Sequence, residues 1–165
     1  MKLAYARKGD SMSYSWGYGR RGKQDAGVRW GMGRGAGGRW RVSEMPPLPP
    51  PPRGVLRVAA STENDKGLDA PISYRFARAP FITVVDLEEG RVIRVQAIQN
   101  TLAGGARGVG MAVGQWLLSS NVNVVIAPRL GPNVSLLLNQ AGVRVEIVPP
   151  GTLLGEAIRG LGLSR

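Results

Sequence analysis

Two arginines three residues apart, Arg75 and Arg78, lie in the segment Asp69-Ala-Pro-Ile-Ser-Tyr-Arg-Phe-Ala-Arg-Ala-Pro-Phe81, beside Ser73, Tyr74 and Phe76. A guanidinium presents a planar fork of donors that suits an oxyanion or a sulfide-rich anion. Pro71 and Pro80 bracket the segment and restrict its backbone. The chemistry offered is therefore anion recognition. In a plainer reading the two arginines pair with Asp65 or Asp69, or stand in solvent. A second stretch, Gly104-Gly-Ala-Arg-Gly-Val-Gly110, runs into an expected helix. Glycines there let backbone approach a ligand, free amides at a helix start favour anions, and Arg107 adds a third cation. The spacings are neither a dinucleotide fingerprint nor a phosphate-loop motif, and an ordinary flexible connection fits them as well. A third stretch, Arg129-Leu-Gly-Pro-Asn133, follows an expected buried strand, where α/β sheets place ligand crevices. Gly131 and Pro132 also suffice as a helix-start turn, so Gly131 and Asn133 are the ligand-loop candidates.

The residue inventory narrows the rest. The 165 residues include no Cys and no His. This excludes disulfides, thiolate metal sites and thiolate-ligated iron–sulfur centres, and it removes the usual general base at neutral pH. A nuclease would need carboxylates converging on divalent cations. The first expected strand carries none. Glu63, Asp65, Asp69, Asp86, Glu88 and Glu89 read as loop and turn acids, so the chain is expected to be non-catalytic. No apolar run reaches the roughly 20 residues of a membrane span, and the basic N-terminus is not followed by an apolar stretch. The expected compartment is the cytoplasm.

The net charge of +11 is unevenly spread. Residues 1–53 hold eleven Lys/Arg against three acids, and residues 54–165 hold eleven against eight. Residues 1–44 contain ten of the 24 glycines and show no apolar period, which predicts disorder. Pro46-Pro-Leu-Pro-Pro-Pro-Pro52 reads as a stiff spacer. The expected organisation is a basic Gly/Arg/Pro-rich tail and linker over 1–53 and a folded domain over 54–165. Arg, Gly and aromatics interleave at Gly19-Arg-Arg-Gly22 and Gly33–Trp40, a composition that binds single-stranded nucleic acid by charge and stacking. Two plainer readings stand beside it: a cationic tail with no dedicated partner, and translation starting at Met45.

Apolar runs and turn residues predict strands at 55–61, 81–87 and 92–98, a helix over 108–120 and a strand at 123–127. A helix from Pro132 to Ala141, a strand at 143–148 and a helix over 153–160 capped by Thr152 follow. The order β-β-β-α-β-α-β-α combines an antiparallel hairpin with right-handed crossovers. It predicts an α/β, ribonuclease H-like mixed sheet with helices on its faces.

These segments also carry a family pattern. Arg57-Val-Ala-Ala-Ser61, Ile72–Phe81, Gly104-Gly-Ala-Arg-Gly108, Val124–Ala127 with Gly131-Pro-Asn133, Ala141-Gly-Val143 and Val148-Pro-Pro-Gly-Thr152 occur in order across nearly all of 54–165. Together they resemble the dinitrogenase iron–molybdenum cofactor biosynthesis family. Ala77 stands where that family usually has Gly, and the His of some nitrogenase carriers has no counterpart. The resemblance implies a ribonuclease H-like fold and a carrier of metal–sulfur clusters of iron–molybdenum or molybdenum–copper type. The cluster would be held non-covalently, with cofactor-assembly or redox proteins as partners. It assigns cluster or anion contacts to Ser73, Arg75, Arg78, Gly104, Gly105, Arg107, Gly131 and Asn133, with no side-chain metal ligand.

Overall fold

A computed structural model describes residues 45–165. Three strands come first: β1 (Val55–Thr62), β2 (Phe81–Glu88) and β3 (Arg91–Gln99). Then follow α1 (Val109–Ser119), β4 (Val124–Ala127), α2 (Pro132–Gln140), β5 (Arg144–Ile147) and α3 (Leu154–Gly160). The five strands form one sheet in the order β3-β2-β1-β4-β5. β1–β2 and β2–β3 pair antiparallel, while β1–β4 and β4–β5 pair parallel. This is the expected ribonuclease H-like mixed sheet. Every expected element is present, with ends within a residue or two.

Period-2 alternation sorts the side chains onto two faces. Ala59, Ile82, Val84 and Val125 pack with Val109, Val113, Trp116 and Leu117 of α1 and with Val134 and Leu138 of α2. Val58, Ala60, Val85, Leu87 and Ile126 pack on the other face with Leu154, Ala157 and Ile158 of α3. Each fully buried Leu or Ile contributes about 1.5–3 kcal/mol. The β2–β3 hairpin closes through Glu89 (φ 53°) and Gly90 (φ 80°), the paired positive angles of a type I′ turn. α1 and α2 approach closely at Gly114, where a Cβ would lie 2.8 Å from Val134 Cγ2. That contact sets the middle of α1 against the first turns of α2.

Two local expectations are revised. Thr152 is not the cap of α3: its hydroxyl donates to Pro149 O at 2.8 Å, and Leu153 is the capping residue, with no side-chain bond. The proline segment is not a free spacer, because residues 45–49 lie against the domain. Met45 is buried in the core of the α1–α2 face. Pro46 O accepts from Trp116 Nε1 at 3.0 Å, Leu48 N–H donates to Ser120 Oγ at 3.0 Å, and Pro49 O accepts from Arg57 Nη1 at 2.8 Å. Proline's missing N–H leaves its carbonyls as acceptors, and Trp116 and Arg57 supply the donors. The nucleic-acid reading of the tail concerns residues 1–44, outside the described residues.

Arg57 is the principal anchor at that end of the sheet. It stands opposite Asp86 in the β1–β2 register, and both are about 2% exposed. Nε and Nη2 donate to the two Asp86 oxygens at 2.8 and 3.0 Å, and Nη1 also donates to Ser120 O at 2.8 Å. The bidentate pair thereby joins β1, β2, the end of α1 and the proline strap.

Candidate functional site

At the opposite end of the sheet, beyond the carboxyl ends of β1 and β4, a cleft of about 430 Å³ opens. Three segments line it. The loop after β1 gives Tyr74, Phe76 and Ala77. The start of α1 gives Gly108, Val109, Gly110 and Met111. The connection after β4 and the start of α2 give Arg129 and Gly131 through Val134.

Both helices therefore begin at the cleft. Their capping residues are Gly108 and Gly131, neither helix has a side-chain cap bond, and neither has an acid in its first turn. The first-turn amides lack intrahelical acceptors by construction. Here no cap side chain answers them, so two positive helix ends face one space. Arg129 adds a full charge at the rim, and no carboxylate lines the cleft. Tyr74, Phe76, Val109, Met111 and Val134 make the remaining surface apolar. Among the described residues no three of His, Cys, Asp and Glu come together as a metal site. The cleft thus suits an anion that brings its own metal ligands.

The sequence-derived residues divide into two groups. Gly131 and Asn133 line the cleft. Ser73, Arg75, Arg78, Gly104, Gly105 and Arg107 do not, although the backbone of their loops builds its walls. Ser73 is fully buried; its Oγ accepts from Arg75 N–H at 3.1 Å, and its own N–H donates to Ser61 O at 2.8 Å. Arg75 is exposed and lies over the Tyr74 ring, 5.4 Å from its centroid, next to the cleft wall. Arg107 is exposed just before Gly108.

Arg78 has a different partner from those expected. It forms no ion pair with Asp65 or Asp69. Its Nη1 donates to Ala103 O at 2.8 Å and Gly105 O at 2.9 Å. Asn100 works from the other side: its Nδ2 donates to Ala77 O and Ala79 O, both at 2.9 Å, and its Oδ1 accepts from Leu102 N–H. The two side chains bind the arginine loop to the glycine loop that leads into α1. Sequence reasoning missed Asn100 and Arg129. Arg129 sits inside a stretch already singled out, and its charge beside Gly131 was the available signal. Replacing Arg78 by Ala is expected to cost under about 1 kcal/mol, since the bonds are exposed. It should raise amide hydrogen exchange selectively over residues 103–109. Lys at that position should restore part of the protection, because one ammonium, like Nη1, can donate to both carbonyls.

The family model for dinitrogenase iron-molybdenum cofactor matches residues 55–162. An uncharacterized protein of Methanocaldococcus jannaschii is 25% identical over 91 residues, 55% of this chain and 73% of that protein. The apo form of the orange protein from Desulfovibrio gigas superposes with a TM-score of 0.57 at 26% identity, covering 64% of this chain and 85% of the other. A putative NifB protein from Thermotoga gives a TM-score of 0.50 at 36% identity, covering 65% and 87%.

Proposed function

Since the chain belongs to the dinitrogenase iron-molybdenum cofactor family, we propose that it is a non-catalytic carrier that holds an anionic metal–sulfur cluster, or the thiometallate from which one is built, in the cleft at the start of α1 and α2. One observation carries the reading: two uncapped helix N-termini open into a single cleft that no carboxylate lines. Backbone amides of the first turns and the Arg129 guanidinium would donate to the cargo's outer sulfides. Gly131 and Asn133 would approach it directly, and Arg75 would add charge from the rim. Ser73, Arg78, Gly104 and Gly105 would hold the two loops in register, with Arg107 adding field near the α1 start. The apolar walls would exclude water and strengthen those interactions. The cargo would come from, and pass to, cofactor-assembly or redox proteins.

The test is uptake of tetrathiomolybdate by the purified chain, read by its visible absorbance after desalting. Retained absorbance at about one molybdenum per chain is expected. Arg129→Ala should weaken uptake about fivefold, the scale of one exposed charge contact, and the difference should shrink at high salt. No retained absorbance with the wild-type chain would overturn the reading.

A further inference from the structure

The proline strap meets the domain with a period of three. Met45 is buried and Leu48 and Pro51 are half-buried, while Pro46, Pro47, Pro49 and Pro50 are exposed. The accepting carbonyls keep the same spacing: Pro46 O takes the Trp116 Nε1 proton and Pro49 O takes one from Arg57 Nη1. A proline run favours the polyproline II helix, which has three residues per turn. Residues three apart on that helix share one edge, so the domain reads the strap along a single edge. The donors are built into the domain. Trp116 and Arg57 are 5% and 2% exposed, and Asp86 takes Nε and Nη2 of Arg57, leaving Nη1 for Ser120 O and the strap. An indole donor beside pockets for apolar side chains is how proline-rich segments are recognised. Arg57, Asp86, Trp116 and Ser120 lie within the family match, residues 55–162, and the strap lies outside it. The groove thus belongs to the matched domain and its occupant does not. One turn joins the two, closed by Val55 N–H donating to Pro52 O at 3.2 Å with Gly54 at φ 86°. A Cβ on Gly54 would meet nothing within 4 Å, so this hinge is unpacked.

We propose that the groove is a docking site for a proline-rich segment of a partner protein, and that the chain's own Met45–Pro51 is its displaceable resident ligand. The strap specifies the partner's chemistry: apolar side chains at the first and fourth positions, and prolines at the second and fifth whose carbonyls meet Trp116 and Arg57. Such a segment loses little freedom on docking, because proline fixes its backbone beforehand. Tethering keeps the strap at a high effective concentration, so a partner must bring a high local concentration or further contacts to displace it. Rotation at Gly54 would swing the strap clear. The cleft and its cargo play no part in this binding.

The experiment uses the full chain with Trp16, Trp30 and Trp40 changed to Phe, so that Trp116 gives the one indole N–H signal in a 15N spectrum. Leu48→Asp in that chain should release the strap and shift the signal. A synthetic peptide of residues 45–52 should then return it toward its original position in a saturable titration. The same peptide carrying Leu48→Asp should have no effect, and one with glycine for every proline should bind about tenfold weaker or less, since glycine has more freedom to lose. The chain with Leu48 intact should bind the peptide at least about tenfold more weakly than the Leu48→Asp chain, because the tethered strap competes. Should Leu48→Asp fail to fold, a nitroxide-tagged peptide in excess over the intact chain should still broaden the Trp116 signal, and no broadening would overturn the proposal. An indole signal unmoved by Leu48→Asp, or moved but blind to the peptide, would overturn it. So would equal binding of the proline and glycine peptides. Dimerisation with strap exchange and no peptide uptake would overturn it in favour of a second copy as the occupant.

Discussion

Replacing Asp86 by Ala is expected to remove about 3–5 kcal/mol of stability, because it strands the Arg57 guanidinium in the core without its counter-charge. That loss is a large part of the roughly 5–15 kcal/mol typical of a domain, so the variant should be partly unfolded at physiological temperature. Two of Arg57's bonds go to Asp86, and the others go to Pro49 O and Ser120 O. A buried charge with two carbonyl acceptors left is still uncompensated. The double change Arg57→Met with Asp86→Leu should be milder than Asp86→Ala, since it removes both charges and fills the space with hydrocarbon. It should not be neutral, because Pro49 O and Ser120 O lose their donor, at about 1–3 kcal/mol if they stay buried. Urea midpoints at constant slope would check the order: wild type above the double variant, and the double variant above Asp86→Ala. If Asp86→Ala matched the wild type, the pair would not hold the sheet to the strap.

The succession of elements was legible because each carries a local signal. β2 is an apolar run closed by a Glu-Gly turn, and α2 opens on Pro132 and closes before Gly142. What escaped the sequence was non-local. Arg57 reads as one polar residue in an apolar strand. Its partner lies 29 residues away, opposite it only once β1 and β2 pair in register. The proline segment reads as a spacer by composition, and nothing local shows that Trp116, 70 residues on, donates to Pro46 O. The same applies to the site. Arg75 and Arg78 are legible as an arginine pair, but the carbonyls that claim Arg78 belong to a loop 25–27 residues later. Gly131 and Asn133 were legible as cleft-lining residues because a turn at the end of a buried strand borders the crevice of an α/β sheet. The convergence of a second helix start on that turn depends on the crossover through α1, and on Gly114 letting α1 approach α2.

Gly131→Asp should separate binding from stability. Gly131 caps α2 with an extended backbone (φ −67°, ψ 161°), and a Cβ there would meet nothing within 4 Å. Asp is a favoured cap residue in that conformation, and its carboxylate would accept from the amides of Asn133 or Val134. Those amides are also the ones proposed to hold the anion. The helix should therefore gain a few tenths of a kcal/mol, or at least lose nothing, by its urea midpoint. Binding should collapse, because the new carboxylate takes the donors and brings a negative charge into a cleft that no acid lines. Unit charges about 5 Å apart repel by about 3 kcal/mol at an effective dielectric near 20. This amounts to a loss of about a hundredfold in tetrathiomolybdate affinity. Gly131→Ala is the control: it adds the Cβ without the charge and should bind nearly as the wild type does. Wild-type affinity in Gly131→Asp would mean that the α2 start is not where the anion sits. Loss in both variants would make the requirement steric rather than electrostatic. The expected pattern, a helix better capped and a cleft that no longer binds, is what a site would show if its donors were left open for cargo at some cost to the fold.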